Sequence, residues 1–98
     1  MQFVKLGNTG MTVSRICLGC MSYGGGPQPE WAMPRDWALN QSDAREHFVV
    51  SLKAGVNLFD AADVYSTGLN EEITAHWLEE LASSDDIVVA TKPWRRWG

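Results

Sequence analysis

The chain has 98 residues, a formal net charge of -4, 45% hydrophobic and 20% charged residues, and a mean hydropathy of -0.19. That length holds one domain at most and buries a smaller share of its surface than a larger domain would. The acidic balance argues against a nucleic-acid surface, which wants clustered Lys and Arg. No run approaches the roughly 18–20 apolar residues of a membrane span, and the N-terminus lacks a signal peptide's apolar core, so a cytoplasmic location is expected.

The first element is a hairpin. Phe3 to Leu6 and Met11 to Val13 flank Gly7-Asn8-Thr9-Gly10, whose Gly and Asn residues supply the positive φ values of a tight turn. Ile16 to Gly19 then reads as a short apolar strand. It carries Cys17-Leu18-Gly19-Cys20, a C-x-x-C spacing. Zinc would need two more ligands, and His47 and His76 both fall inside predicted helices. A thioredoxin-type pair opens a helix, whereas Gly and Pro residues follow Cys20. The spacing therefore reads as two reduced thiols at a strand end. Residues 20–39 are expected to be irregular, because three glycines and Pro27, Pro29 and Pro34 exclude regular structure. Trp31 and Trp37 favour an ordered loop, packed over the fold or lining a substrate pocket.

From Ser42 the period becomes helical. Ala44, Phe48 and Leu52 recur four apart, Ser42 can cap the start, and Gly55 supplies the left-handed stop. Val56 to Phe59 is the next strand. After a loop at Ser66 to Leu69, Asn70 is a candidate cap, and Glu71 and Glu72 suit the positive end of a helix dipole. Ile73, Trp77 and Leu81 form the buried stripe of this second helix, Ser83-Ser84 closes it, and Ile87 to Thr91 is a continuous apolar strand. Apolar strands separated by amphipathic helices predict a parallel sheet covered on both faces. Arg95-Arg96, between Trp94 and Trp97, reads as a solvated tail rather than an anion site.

The stretch Leu58-Phe59-Asp60-Ala61-Ala62-Asp63-Val64-Tyr65 ends a strand on a carboxylate. A buried Asp is costly unless paired, and the C-terminal ends of parallel strands carry the chemistry of α/β folds. Lys92, ending the neighbouring strand, is its expected cation, with Tyr65 beside the pair. A phenol ionises near pH 10 and is a poor acid at neutral pH. A nearby ammonium makes it a better donor, and a carboxylate holds that ammonium in place. Such a trio suits protonation of an oxygen gaining negative charge, as when a carbonyl receives a hydride. Asp at a strand end is also a common cap or turn former, and Lys there often only reaches solvent.

Four segments carry a resemblance: Lys5 to Gly10, Val13 to Gly24, Ala54 to Tyr65, and Val88 to Lys92. In order and spacing they resemble the N-terminal part of aldo-keto reductases, in the branch of aryl-alcohol-dehydrogenase-like enzymes and potassium-channel β subunits. The resemblance implies an α/β fold, the N-terminal portion of a (β/α)8 TIM barrel with its floor closed by the hairpin, and residues 1–98 as part of one reductase domain. It implies NADPH as cofactor, with Gly19, Cys20, Met21 and Asp60 against it, and Asp60, Tyr65 and Lys92 as catalytic residues with Tyr65 the general acid. Its substrates would be small aldehydes or ketones. The fourth catalytic residue of the family, a His on the next strand, would lie beyond Gly98. A barrel of this type needs about 250 residues. The 98-residue chain alone is therefore expected to turn over little or nothing, and to offer open barrel edges for self-association or a complementing chain. A non-catalytic interaction module of the same origin is the alternative. A phosphate cradle at Gly19 to Gly26 is rejected, since the G-x-G-x-x-G spacing and a following helix are both missing.

Overall fold

The computed structural model describes residues 1–25, 36–63 and 65–93. Gly7 and Gly10 take φ values of 53° and 80°. Between them the chain reverses from β1 (Phe3–Lys5) to β2 (Thr12–Ser14), paired antiparallel with Val4 opposite Val13. Asn57 ties the hairpin to the rest of the fold. Asn57 Oδ1 accepts from Ser14 N at 2.7 Å, Asn57 Nδ2 donates to Thr12 O at 3.1 Å, and Asn57 N donates to Ser14 Oγ at 3.1 Å. An amide at that position offers a donor and an acceptor at once.

The remaining elements alternate: β3 (Leu18–Gly19), α1 (Gln41–Lys53), β4 (Leu58–Asp60), α2 (Leu69–Leu81) and β5 (Val88–Ala90). The strands form a parallel sheet in the order β3-β4-β5, with Gly19 opposite Asp60 and Asp60 opposite Ala90. This is the strand-helix alternation expected of the first part of a (β/α)8 barrel. The described residues do not close the barrel.

Several boundaries differ from the sequence reading. The first parallel strand is only Leu18–Gly19, and Ile16 is exposed. The cap of α1 is Asn40, whose side chain accepts from Asp43 N at 2.9 Å, and not Ser42. Asn caps as well as Ser does, and the Tyr23–Leu39 bridge fixes the chain just before it. Gly55 does stop α1, at φ 93°. The expected loop at Ser66 to Leu69 is a 3-10 turn over Tyr65–Gly68 that runs straight into α2, with Gly68 at the cap position. Asn70 is thus no cap: it lies in the first turn of α2 and is fully buried.

The core lies between the sheet and the two helices. Phe48 of α1 stacks on Phe59 of β4 at 6.1 Å between centroids, and Tyr23 meets Phe48 at 5.0 Å. Ile73, Trp77 and Leu78 bring α2 onto the same cluster, which also holds Cys20, Ala44, Val56 and Ala61. Full burial of each large side chain contributes about 1.5–3 kcal/mol. Trp77 keeps its indole N–H satisfied by donating to Gln41 O at 2.8 Å. Strand alternation sends Phe59 and Ala61 into this core and turns Leu58 and Asp60 to the opposite face. The helix-facing side is the better covered, though Val89 on it is exposed; on the other, Leu58 and Val88 are half-buried and Ala90 is exposed. Trp37 is 54% exposed, less covered than packing over the fold would leave it. Trp31, Pro27, Pro29, Pro34 and the Trp94-Arg95-Arg96-Trp97 tail lie outside the described residues.

Burial sets a pH limit on this core. It pushes the Cys20 thiol up from 9.0 to about 11 and the Tyr23 phenol up from 10.0 to about 12. The unfolded chain therefore releases protons at lower pH than the folded one, so stability falls as pH rises above about 9. Urea unfolding followed by circular dichroism should show a midpoint that drops steadily from pH 9 to pH 11. Cys20→Ala should flatten the early part of that drop. A midpoint independent of pH over this range would contradict the burial of both groups.

Candidate active site

Sheet register brings the catalytic candidates together. Asp60 is opposite Ala90, so Lys92, two residues further along, returns to the same face one step beyond. The chain past each strand stays aligned, because Ala61 N donates to Ala90 O at 2.8 Å and Asp63 N to Lys92 O at 3.2 Å. Lys92 Nζ then donates to Asp60 Oδ1 at 2.9 Å and to Ala61 O at 2.7 Å. It also stands 5.2 Å from the centroid of the Tyr65 ring, within reach of the ring's electrostatic attraction. Tyr65 is presented by the 3-10 turn, whose first amide donates to Ala62 O at 3.3 Å.

The environment of Asp60 differs from the burial its sequence suggests. The Asp60 carboxylate is not buried: its side chain is 43% exposed, and that of Lys92 is 49% exposed. The face they occupy has no helix over it among the described residues, so water reaches both groups. A pair this exposed contributes little to stability, and its location needs a reason other than holding the fold together. Its electrostatic effect is local. The hydrogen bond to Asp60, against an opposing desolvation, holds the Lys92 ammonium above the ordinary lysine value, with smaller contributions from the Asp60 charge and the Tyr65 phenol. Lys92 therefore stays cationic at every physiological pH.

The residues expected against a cofactor sit at the adjoining strand end. Gly19 is exposed, and a Cβ there would meet nothing within 4 Å. Met21 is 47% exposed. Cys20 differs from both. Its thiol is fully buried, its N–H donates to Asp60 O at 2.8 Å, and its carbonyl accepts from Asn70. Gly19 and Met21 thus form the open surface beside Asp60, while Cys20 anchors them. Cys17 is exposed and both cysteines are free thiols. His47 and His76 lie on α1 and α2: His47 Nδ1 is 3.0 Å from Tyr23 Oη, and His76 Nε2 is 3.5 Å from Glu80. Neither meets the Asp60–Lys92 pair.

A cleft of about 510 Å³ opens elsewhere, lined by Thr74, Ala75 and Leu78 of α2 and by Ile87, Val89 and Thr91 beside them. Its size suits a small ligand. Ile87, Val89 and Thr91 alternate with Val88, Ala90 and Lys92, however, so the cleft lies on the helix side of the sheet. It is not where the ionic pair and the phenol meet.

Sequence reasoning missed Asn70, which it read as a cap. The side chain instead donates to Cys20 O and, at 2.7 Å, to Tyr23 O. The local signal, Asn before two Glu, is that of a helix start, and nothing local marks a partner some 50 positions away.

The Aldo/keto reductase family model matches residues 15–97. Versiconal hemiacetal acetate reductase of Aspergillus parasiticus is 34% identical over 93 residues, covering 94% of this chain and 25% of that protein. A Saccharomyces cerevisiae protein bearing an aryl-alcohol dehydrogenase name is 38% identical over 93 residues, with 91% and 25% covered. Among solved structures, the holo form of an aldo-keto reductase from Bacillus halodurans superposes with a TM-score of 0.77 at 31% identity, covering 100% of this chain and 28% of that one. The chain spans about a quarter of the length of these relatives.

The exposure of the pair predicts how it responds to mutation. Asp60→Asn should leave the urea midpoint of unfolding nearly unchanged, because solvent already screens both charges. A large drop in that midpoint would mean that the pair holds the fold together instead.

Proposed function

Because the chain belongs to the aldo/keto reductase family, we propose that it supplies the proton-delivering part of an NADPH-dependent reductase of aldehydes or ketones. The observation that carries this reading is the placement of the Lys92 ammonium between the Asp60 carboxylate and the Tyr65 ring at the C-terminal edge of two adjacent strands. The relatives named as reductases and dehydrogenases support the same reaction class.

The residues fit a nicotinamide cofactor by their chemistry. An exposed glycine with open space above it allows a flat ring to approach the backbone, and Met21 gives an adaptable apolar contact beside it. NADPH held against Gly19, Cys20 and Met21 would supply the hydride that reduces the carbonyl carbon. The roles of the chain's own residues follow from their geometry. Tyr65 gives its hydroxyl proton to the carbonyl oxygen as negative charge develops there, which yields the alcohol. Lys92 stabilises the phenolate left behind, and Asp60 with Ala61 O fixes the ammonium in that position. The carboxylate acts through Lys92, and the main-chain carbonyl of Asp60 borders the cofactor surface by accepting from Cys20 N.

The test separates proton delivery from binding. In the complete barrel that carries this segment, Tyr65→Phe should lower kcat for carbonyl reduction by roughly 10²–10⁴-fold. NADPH affinity, measured by fluorescence titration, should stay nearly intact. An unchanged kcat would remove Tyr65 from the role of general acid.

A further inference from the structure

Asn70 is fully buried, in the first turn of α2, and its side chain is engaged far from its own helix. Its Nδ2 donates to both Cys20 O and Tyr23 O, so one amide group closes the turn that follows β3. Its Oδ1 is buried with no hydrogen-bond partner among the described residues. Leaving that oxygen dry costs free energy, so packing alone would favour an apolar side chain at this position. The two donated bonds are what the amide provides that an apolar residue would not.

A second contact joins the same two segments. Ser66, directly after Tyr65, is buried at φ 49°, in the left-handed region that side chains other than glycine enter rarely. Its side chain lies so close to Gly24 that a Cβ at Gly24 would fall closer than 3.0 Å to it. The turn after β3 is fixed at its far end as well, since the amides of Gly24 and Gly25 both donate to Leu39 O, at 2.9 and 2.7 Å. Cys20 to Gly24 and Tyr65 to Asn70 therefore interlock at two points.

We propose that Asn70 is a positioning residue, whose amide locks the turn carrying Cys20, Met21 and Tyr23 to the segment carrying Tyr65. The surface beside Asp60 and the phenol then move as one unit, and their spacing is set by α2 rather than by either loop alone. The assignment of these two segments to cofactor and proton donor rests on the reductase reading above. The mechanical coupling does not.

Amide hydrogen exchange tests the coupling in the 98-residue chain. Asn70→Ala should lower protection at Tyr23 and Gly24 and at Tyr65 together, by roughly tenfold, while the amides of α1 change little. A uniform loss that includes α1 would assign Asn70 a general stabilising role and overturn the proposal. Loss confined to one of the two segments would overturn it too. The coupling is also readable in the unsubstituted chain, whether or not the variant folds. There the Tyr23 and Tyr65 amides should share one opening free energy, and two different values would overturn the proposal. A second titration separates this result from the reductase reading. In the complete barrel, Asn70→Ala should weaken NADPH binding about tenfold, because the bonds it removes anchor the turn beside the cofactor surface. Equal NADPH affinity in the two forms, with the coupled exchange intact, would overturn the cofactor assignment and leave the coupling standing.

Discussion

The parallel register of β4 and β5 is the constraint from which the rest of the site follows. Asp60 is paired with Ala90, so Lys92 must project on the same face one step beyond the carboxylate. A slip of one residue would turn Lys92 into the helix-packed core and leave Asp60 without its cation. That register is fixed from the other face of the sheet, where Phe59 stacks on Phe48 and Ala61 is buried in the same cluster. The apolar core thus places the charged site and meets it through backbone groups, since Ala61 O accepts from Lys92 Nζ and Cys20 N donates to Asp60 O. Backbone bonds past the strand ends, from Ala61 to Ala90 and from Asp63 to Lys92, extend the alignment to where the charges meet.

The pair is exposed, and that bears on its role. Two charges in contact with water contribute little to holding a fold together, so the local field at Tyr65 is the consequence that remains. The phenol is presented by a short turn with a residue in a left-handed conformation beside it. Such backbone persists only where its surroundings hold it, and here Ser66 packs closely against Gly24. The core, the register and the buried amide are three levels of one arrangement, with Tyr65 and the Asp60–Lys92 pair at its exposed end.

Much of this was legible in the sequence. The four-residue spacing of Ala44, Phe48 and Leu52, the stop at Gly55 and the glycines of the first turn each report a local preference that the fold obeys. The meeting of Asp60 and Lys92 was legible for a different reason: ends of adjacent parallel strands share an edge. The misreadings have physical causes too. An apolar strand ending in Asp suggests burial on both faces, yet the sheet is covered on one side and the carboxylate is half-exposed. Asn40 and Ser42 are equally good caps by type, and the choice falls to the bridge between Tyr23 and Leu39. Asn70 could not be read locally, because a cap and a long-range clamp use the same amide chemistry.

The most direct measurement is an NMR titration of the Lys92 ammonium in the native chain and in Asp60→Asn. If the carboxylate holds the ammonium as the register dictates, the native group titrates above the ordinary lysine value of 10.5. The Asn variant should then titrate clearly lower. Identical titration curves would mean that Asp60 and Lys92 do not meet in solution, and the account of the site built on that register would be wrong.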